Sequence, residues 1–291
     1  MMRLSIVTIC YNNADGLRAT IDSVAAQTML DGVEHIIVDG GSTDGSVDII
    51  KEYVQRMDEE GLRNKEKGKR IEVKWVSERD KGIYNAMNKG IRMAEGDYCL
   101  FLNSGDVLAR PDVLSCVLPI LNHKPSTIND KHVAYDIYYG DVVKVKGNKK
   151  RVLRYKDQLT ADDFVSPYPA IHHQAAFIRR DLFESIGLYR EDMYIAADWY
   201  FFFDAVIMHK ASIFHMHDVI AICDMTGLSN TLQKNDPRLM HDAAIRQNAM
   251  ADYCAVNGCR LQAINENIIK RYITKIRWRL SVLLPLSYYT R

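Results

Sequence analysis

Residues 4–45 read LSIVTICYNNADGLRATIDSVAAQTMLDGVEHIIVDGGSTDG. Leu4 to Cys10 is an unbroken apolar, β-branched run, the pattern of a strand buried on both faces. Tyr11-Asn12-Asn13-Ala14-Asp15-Gly16 breaks that run with turn formers. Leu17, Ile21 and Val24 then recur at helical spacing, with Asp15 placed to cap the helix. Glu34 to Val38 is a second buried run, ending in the turn-rich Asp39-Gly40-Gly41-Ser42-Thr43-Asp44-Gly45. Strand, loop, helix, strand, loop opens a parallel sheet covered by helices.

The alternation continues outward from there. Val47, Ile50 and Val54 mark a second helix, and Gln55 to Arg70 is charged enough to read as a helix end with an exposed insertion. Val73 to Val76 is a third strand, Ile83, Met87, Ile91 and Ala94 a third helix, and Tyr98 to Leu102 a fourth strand. Beyond Asp106 the pattern loosens into a short helix near Pro111 to Leu121. Asp136 to Lys146 and Arg151 to Tyr155 follow as antiparallel strands turning at Gly147-Asn148. His173 to Ile178 reads as a strand and Ala197 to Met208 as a helix. Arg238 to Val256 and Gln262 to Leu284 read as long helices.

The bulk properties exclude several classes. With 47% hydrophobic and 26% charged residues the chain is ordinary globular protein, neither disordered nor collagen-like. A net charge of +1 supplies no general attraction to nucleic acid. The six cysteines form no CxxC pair and no zinc spacing, so reduced thiols and a cytosolic compartment are expected. Met1 to Cys10 is too short for a signal peptide, and no run of about 18 apolar residues suggests a membrane span.

In a parallel sheet ligands bind beyond the carboxyl ends of the strands. Each of the four strand ends carries polar groups: Thr8, Tyr11 and Asn12; Asp39, Ser42 and Asp44; Ser77, Glu78, Arg79 and Asp80; Asn103, Ser104 and Asp106. A nucleotide needs this mixture. An aromatic covers the base, a carboxylate accepts from base N–H or ribose hydroxyls, and donors meet the phosphates. A divalent cation, Mg²⁺ or Mn²⁺, would balance the diphosphate. Any one loop is explained equally well by turn chemistry; four at successive strand ends favour a site. A nicotinamide dehydrogenase would need GxGxxG after the first strand, where Tyr11 to Gly16 stands instead.

These segments resemble glycosyltransferase family 2. The resemblance rests on Ser5-Ile6-Val7-Thr8-Ile9-Cys10-Tyr11-Asn12-Asn13 with Ser23-Val24 and Gln27-Thr28, and on Val38 to Gly45. It continues through Ser77 to Gly90, Gly96-Asp97-Tyr98 and Leu102-Asn103-Ser104-Gly105-Asp106, then His172-His173-Gln174 and Ala196-Ala197-Asp198-Trp199. It spans about residues 3 to 230. It implies a GT-A fold, α/β with a mostly parallel central sheet flanked by helices, a nucleotide-diphosphate-sugar donor and inversion at the anomeric carbon. By position it assigns the donor to Thr8, Tyr11, Asn12, Asp39, Ser42, Asp44, Asp80, Asn88, Asn103 and Ser104. It assigns the acceptor to His173, Gln174 and Trp199, metal to Asp106, and the general base to Asp198. Two departures stand out. Asn103-Ser104-Gly105-Asp106 replaces the family's Asp-x-Asp-Asp, leaving Asp106 as its one carboxylate. Ala197 stands where a glutamate commonly precedes the base.

The implied organisation is a donor-binding half over 1–110, an acceptor-binding and catalytic half over 111–235, and a helical extension over 236–291. The expected activity is transfer of a sugar from a nucleotide-sugar, UDP-sugar first, to a glycan or lipid-linked acceptor, as in bacterial surface polysaccharide synthesis. The alternative is an inactive nucleotide-sugar-binding protein, motivated by the two departures. Asp198 has a rival structural role as a helix cap. His172 and His173 could touch acceptor or diphosphate, and His215-x-His217 could present both rings on one face of a strand to a metal. In the final stretch Ile264, Ile268, Tyr272, Ile276, Leu280 and Leu283 recur at helical spacing among Lys270, Arg271, Lys275, Arg277 and Arg279. That pattern suits an anionic membrane surface, on the cytoplasmic side, as well as a helix packed on its own domain.

Overall fold

The computed structural model describes residues 3–63, 71–122, 134–165, 169–225, 227, 232–233 and 236–258. The amphipathic stretch 262–284 lies outside the described residues. The first half follows the sequence pattern closely: β1 (Leu4–Cys10), α1 (Ala14–Ala25), β2 (Val33–Asp39), α2 (Ser46–Arg63), β3 (Glu72–Ser77), α3 (Ile83–Met93) and β4 (Tyr98–Phe101). Then come β5 (Val107–Leu108), α4 (Val113–Leu121), the hairpin β6 (Ile137–Lys146) and β7 (Lys149–Leu153), α5 (Ala161–Val165), β8 (Ala176–Arg179) and α6 (Leu182–Ser185). The remainder is α7 (Ala197–Phe203), β9 (Ile213–Asp224) and α8 (Pro237–Asn257).

Among the described residues the strands form one sheet in the order β3-β2-β1-β4-β8-β6-β9-β5, with β7 paired to β6. The pairs β3–β2, β2–β1 and β1–β4 are parallel. From β4 onward the sheet is mixed: β8 is antiparallel to both β4 and β6, while β6 and β9 are parallel. The expectation of a mostly parallel sheet therefore holds for the first half only. Strand β8, antiparallel to both of its neighbours, and the pairs β6–β7 and β5–β9 make the difference. In β9, His215 and His217 alternate with Phe214 and Met216, which hides the strand from a search for apolar runs.

Alternation along the strands divides the core in two. Leu4 and Ile6 of β1 pack with Leu17, Ile21, Ile50 and Val113. Val7 and Ile9 pack with Met87, Ile91, Phe101 and Trp199. Both faces are covered, which is why the strands read as continuous apolar runs. Gly90 lets α3 lie directly on β1: a Cβ there would come within 2.3 Å of Val7 Cγ1. Three boundaries differ from the sequence reading. Asn13, not Asp15, caps α1, accepting from Gly16 N at 3.3 Å. His173–Ala175 is a 3₁₀ turn ahead of β8, and the helix expected to reach Met208 passes into a π turn at Asp204–Met208.

Candidate active site

Parallel pairing brings the ends of β1, β2 and β3 level. Cys10 pairs with Asp39, and Asp39 with Ser77. Asp39 is fully buried. Its Oδ2 accepts from Gly41 N (3.1 Å), Ser42 N (3.0 Å) and Ser77 Oγ (2.6 Å). Its other oxygen, Oδ1, has no hydrogen-bond partner among the described residues. A buried carboxylate oxygen left unpaired is costly, so this atom is poised to accept from an incoming donor.

The neighbouring loops close around it. Tyr11 is 67% exposed, an aromatic face left open to solvent. A Cβ at Gly40 would lie 3.0 Å from Asp80 Oδ2 and 3.2 Å from Tyr11 Cδ2, so glycine lets both side chains close on this turn without shifting. Asn12 adopts a left-handed φ of 45°, which asparagine tolerates. Its backbone N–H donates to Ser42 Oγ (2.8 Å), and its Oδ1 accepts from Thr43 N (2.8 Å). Lys89 Nζ pairs with both Asp80 (2.5 Å) and Glu78 (2.8 Å), making Lys89 a cation at this rim that sequence reasoning did not single out.

The loop after β4 is a tight turn. Asp106 N donates to Asn103 O (2.9 Å), and Ser104 N to Ile9 O (3.0 Å). Asn13 Nδ2 bridges to Ser104 O and Oγ at 3.0 and 3.2 Å. Gly105 has φ +102°, a conformation in which a side chain is strained. That gives a local reason for the missing second carboxylate. Asp106 is 7% exposed; Gln174 Nε2 (3.0 Å) and Asp224 N at the end of β9 (3.1 Å) donate to its two oxygens. Burial pushes its carboxyl up to about 6, against the Gln174 hydrogen bond and the nearby His173.

Asp198, in the first turn of α7, meets this loop through a histidine. His173 Nδ1 lies 2.9 Å from Asp198 Oδ2, its Nε2 lies 3.3 Å from Asn103 Nδ2, and Tyr84 Oη donates to Asp198 Oδ1 at 3.0 Å. Burial works to raise the Asp198 carboxyl, but the His173 ring, the Trp199 amide and the Tyr84 hydroxyl together hold it below the ordinary aspartate range. The N-cap position of α7 is Ala196, without a side-chain cap hydrogen bond, so Asp198 sits inside the first turn and is not the cap residue; the turn leading into the helix is held from outside. Asp242 of α8, 2% exposed, accepts from the backbone N–H groups of Tyr194, Ile195 and Ala196 at 2.6–3.1 Å.

Four expected site residues lie elsewhere or are already engaged. Thr8 is fully buried, and its hydroxyl donates to Leu102 O (2.8 Å) and meets His35 Nε2 (2.9 Å). Asn88, 1% exposed, clasps Tyr189 through both backbone groups and donates to Glu191 Oε1 (2.9 Å). Trp199 donates to Phe164 O (3.0 Å), stacks on Phe203 and lies under Arg246. Asp44 accepts from Ala14 N (2.8 Å) and Ser46 Oγ (2.6 Å), joining the starts of α1 and α2. The Ser46 hydrogen bond holds its carboxyl low. All four hold the framework of the pocket. His172 is also buried, its Nδ1 on Tyr155 Oη. His215 lies nine residues before Asp224 on β9, away from this cluster.

The residues around Asp106 fit a hard divalent cation. Asn103 Oδ1 and Gln174 Oε1 are buried acceptor oxygens without partners among the described residues, and both side chains belong to the Asp106 cluster. Carboxylate and amide oxygens are the ligands that Mg²⁺ and Mn²⁺ prefer. Lys144 of β6 contributes charge to the same cluster. Burial lowers its ammonium, while Cys223, Asp106 and Asp198 oppose that shift.

The family model for glycosyl transferase family 2 matches residues 5–187. A PGL/p-HBAD biosynthesis glycosyltransferase of Mycobacterium bovis (strain BCG / Pasteur 1173P2) is 33% identical over 230 residues, covering 78% of this chain and 79% of the relative. Among solved structures, S. aureus TarS 1-349 in complex with UDP-GlcNAc matches with TM-score 0.58 at 18% identity, covering 87% of this chain and 71% of that one. The mannosyltransferase PcManGT from Pyrobaculum calidifontis, in complex with GDP-Man and Mn²⁺, matches with TM-score 0.56 at 15% identity, covering 97% and 83%. At these identities the structural likeness is one of fold.

Proposed function

The chain belongs to glycosyl transferase family 2, has a GT-A fold and is a glycosyltransferase, and from that premise we propose that it is an inverting enzyme using a UDP-sugar. The observation that carries this reading is the hydrogen-bonded run Tyr84–Asp198–His173–Asn103 beside Gln174–Asp106. It joins a carboxylate of the second half to the turn that ends the first half, so that base and leaving-group site would flank one sugar.

Tyr11 would cover the base, and Asp39 Oδ1 would accept from a base N–H or a ribose hydroxyl. Asp106, with Asn103 and Gln174, would hold Mg²⁺ or Mn²⁺. When bound, that ion supplies positive charge to the departing diphosphate. The acceptor oxygen forms a bond to the anomeric carbon as the bond to the diphosphate oxygen breaks, and its proton passes to Asp198. Asp198 retains lone pairs for this beyond those used by Tyr84 and His173. Its lowered pKa keeps it ionised at neutral pH.

Residues 1–110 then serve as the donor half and 111–235 as the acceptor half, with 236–291 as an extension. The mycobacterial relative is named for PGL/p-HBAD biosynthesis, and a biosynthetic role of that kind accords with transfer to a glycan or lipid-linked acceptor. No helix among the described residues is long and apolar enough to cross a membrane. Contact with an anionic membrane would fall to the basic stretch beyond residue 261. The deciding experiment is a thermal-shift screen of UDP, GDP and dTDP with and without Mn²⁺. A ligand at a hundred times Kd adds about 2.7 kcal/mol of stability. A selective shift with UDP that Mn²⁺ enhances is the expected result; a shift with GDP alone would overturn the nucleotide assignment.

A further inference from the structure

A second cluster of metal-ligating groups sits away from the transfer site. Strands β6 and β9 slip register where Tyr139 pairs with His215 and Asp141 with Val219. At that irregularity His217 takes a left-handed φ of 53°, unusual for a residue other than glycine. The slip brings the His215 and His217 rings to one side, 4.3 Å apart, facing Asp157 on the segment after β7. His215 Nδ1 lies 3.0 Å and His217 Nε2 3.1 Å from the same oxygen, Asp157 Oδ1, and the three ligand atoms lie within 4.8 Å of one another. Tetrahedral bonds of about 2.0–2.2 Å place ligand atoms roughly 3.3 Å apart, so little movement is needed.

The other nitrogen of His215 supplies the independent argument. His215 Nε2 lies 2.9 Å from Asp141 Oδ1; Asp141 is 5% exposed and also accepts from Tyr155 N. Donation to this buried carboxylate fixes the proton on Nε2 and leaves the Nδ1 lone pair aimed at Asp157. A lone pair and a carboxylate oxygen at 3.0 Å repel unless a cation lies between them. His217 Nε2 can carry its own ring hydrogen to Asp157 Oδ1, so the His215 Nδ1 contact is the one that needs an added proton or a cation, and a divalent ion takes the lone pairs of both rings together with that oxygen. A carboxylate behind a histidine, with the histidine's free nitrogen turned to shared ligands, is the outer support that metal-binding histidines use. The His215 ring is further held by stacking on Tyr139.

We propose that Asp157, His215 and His217 bind one divalent transition-metal ion of the zinc type, with Asp141 orienting His215. Two imidazoles and one carboxylate favour Zn²⁺ or Co²⁺ over Mg²⁺ or Ca²⁺. The ion would tie the segment after β7 to β9, nine residues along that strand from Asp224, on the order of 20–30 Å at the usual rise per residue.

The test uses tag-free full-length protein stripped with chelator and titrated with Co²⁺. One equivalent should bind with the visible absorption of a low-coordinate nitrogen–oxygen site, be displaced by Zn²⁺, and raise Tm. His217 is 66% exposed at its side chain, so His217→Ala should fold normally yet bind at least about tenfold more weakly and lose the absorption. Asp106→Asn should keep the absorption. Absence of the absorption in the wild type would overturn the proposal, and so would its persistence in His217→Ala.

Discussion

The His173 ring joins Asp198 Oδ2, 2.9 Å from its Nδ1, to Asn103, 3.3 Å from its Nε2. If the Asn103 amide donates to Nε2, the ring proton sits on Nδ1 and points at Asp198. The histidine then holds the carboxylate in place and low in pKa. Asp198→Asn should spare nucleotide binding and cut turnover by about 10²–10⁴, the usual worth of a general base. His173→Ala should cost less and shift the acid limb of the kcat profile upward, because a donor that favours ionised Asp198 is gone. Product formation measured across pH decides this. Full turnover in Asp198→Asn, or an unmoved profile in His173→Ala, would sink the assignment.

Asp39 Oδ2 is committed to Gly41, Ser42 and Ser77, while Oδ1 is unpartnered among the described residues. A hydrogen bond to a charged group is worth about 1.5–3 kcal/mol. Asp39→Ala should therefore weaken UDP binding by roughly ten- to a hundredfold, read by calorimetric titration. Unchanged affinity in a folded variant would move the nucleoside elsewhere.

The parallel half of the fold was legible in the sequence because both sheet faces are covered. Val7 and Leu4 are buried on opposite sides, so the strand reads as one apolar run. β9 was not legible as an element because histidines alternate along it, and β5, with two residues, is too short to show a period. Within the candidate site, the loops were legible and the directions of individual side chains were not. Asp39 and Thr8 both sit near the ends of their strands. Residue parity and the buried His35 turn Thr8 inward, and no local pattern reports that. Tyr84 and Lys89 lie within the helical run of α3, where nothing distinguishes a tyrosine that meets Asp198 from a core tyrosine until tertiary packing joins them. Asp242 holds the turn before α7 from 46–48 residues away in sequence, beyond the reach of any local pattern.

Thr8→Val separates framework from pocket. The Thr8 hydroxyl donates to Leu102 O and so accepts from His35 Nε2–H, while His35 Nδ1 meets Tyr53 Oη at 3.1 Å. Burial holds His35 at a pKa of about 3, so it stays neutral in the fold. Valine leaves a buried imidazole N–H unpaired, a loss of about 1–3 kcal/mol. Urea unfolding should show that loss while UDP affinity stays within twofold (on the order of 0.4 kcal/mol). A large fall in affinity with stability intact would return Thr8 to the nucleotide.

The raised carboxyl of Asp106, at about 6, makes metal binding and pH one linked equilibrium. Its folded pKa exceeds the unfolded value of about 3.9, so its contribution to stability is full below pH 3.9 and is lost as pH rises through about 6. A cation restores what ionisation in a buried site costs, and it competes with the proton for the same oxygens. Mn²⁺ affinity, measured calorimetrically with UDP present, should be about tenfold weaker at pH 5 than at its plateau and level off above pH 6. The gain in Tm from Mn²⁺ and UDP should grow over the same interval. Asp106→Asn removes the titrating group, so its residual Mn²⁺ binding should be weak and flat with pH. A wild-type affinity independent of pH between 5 and 7.5, or an Asp106→Asn variant that binds Mn²⁺ like the wild type, would place the ion on other ligands.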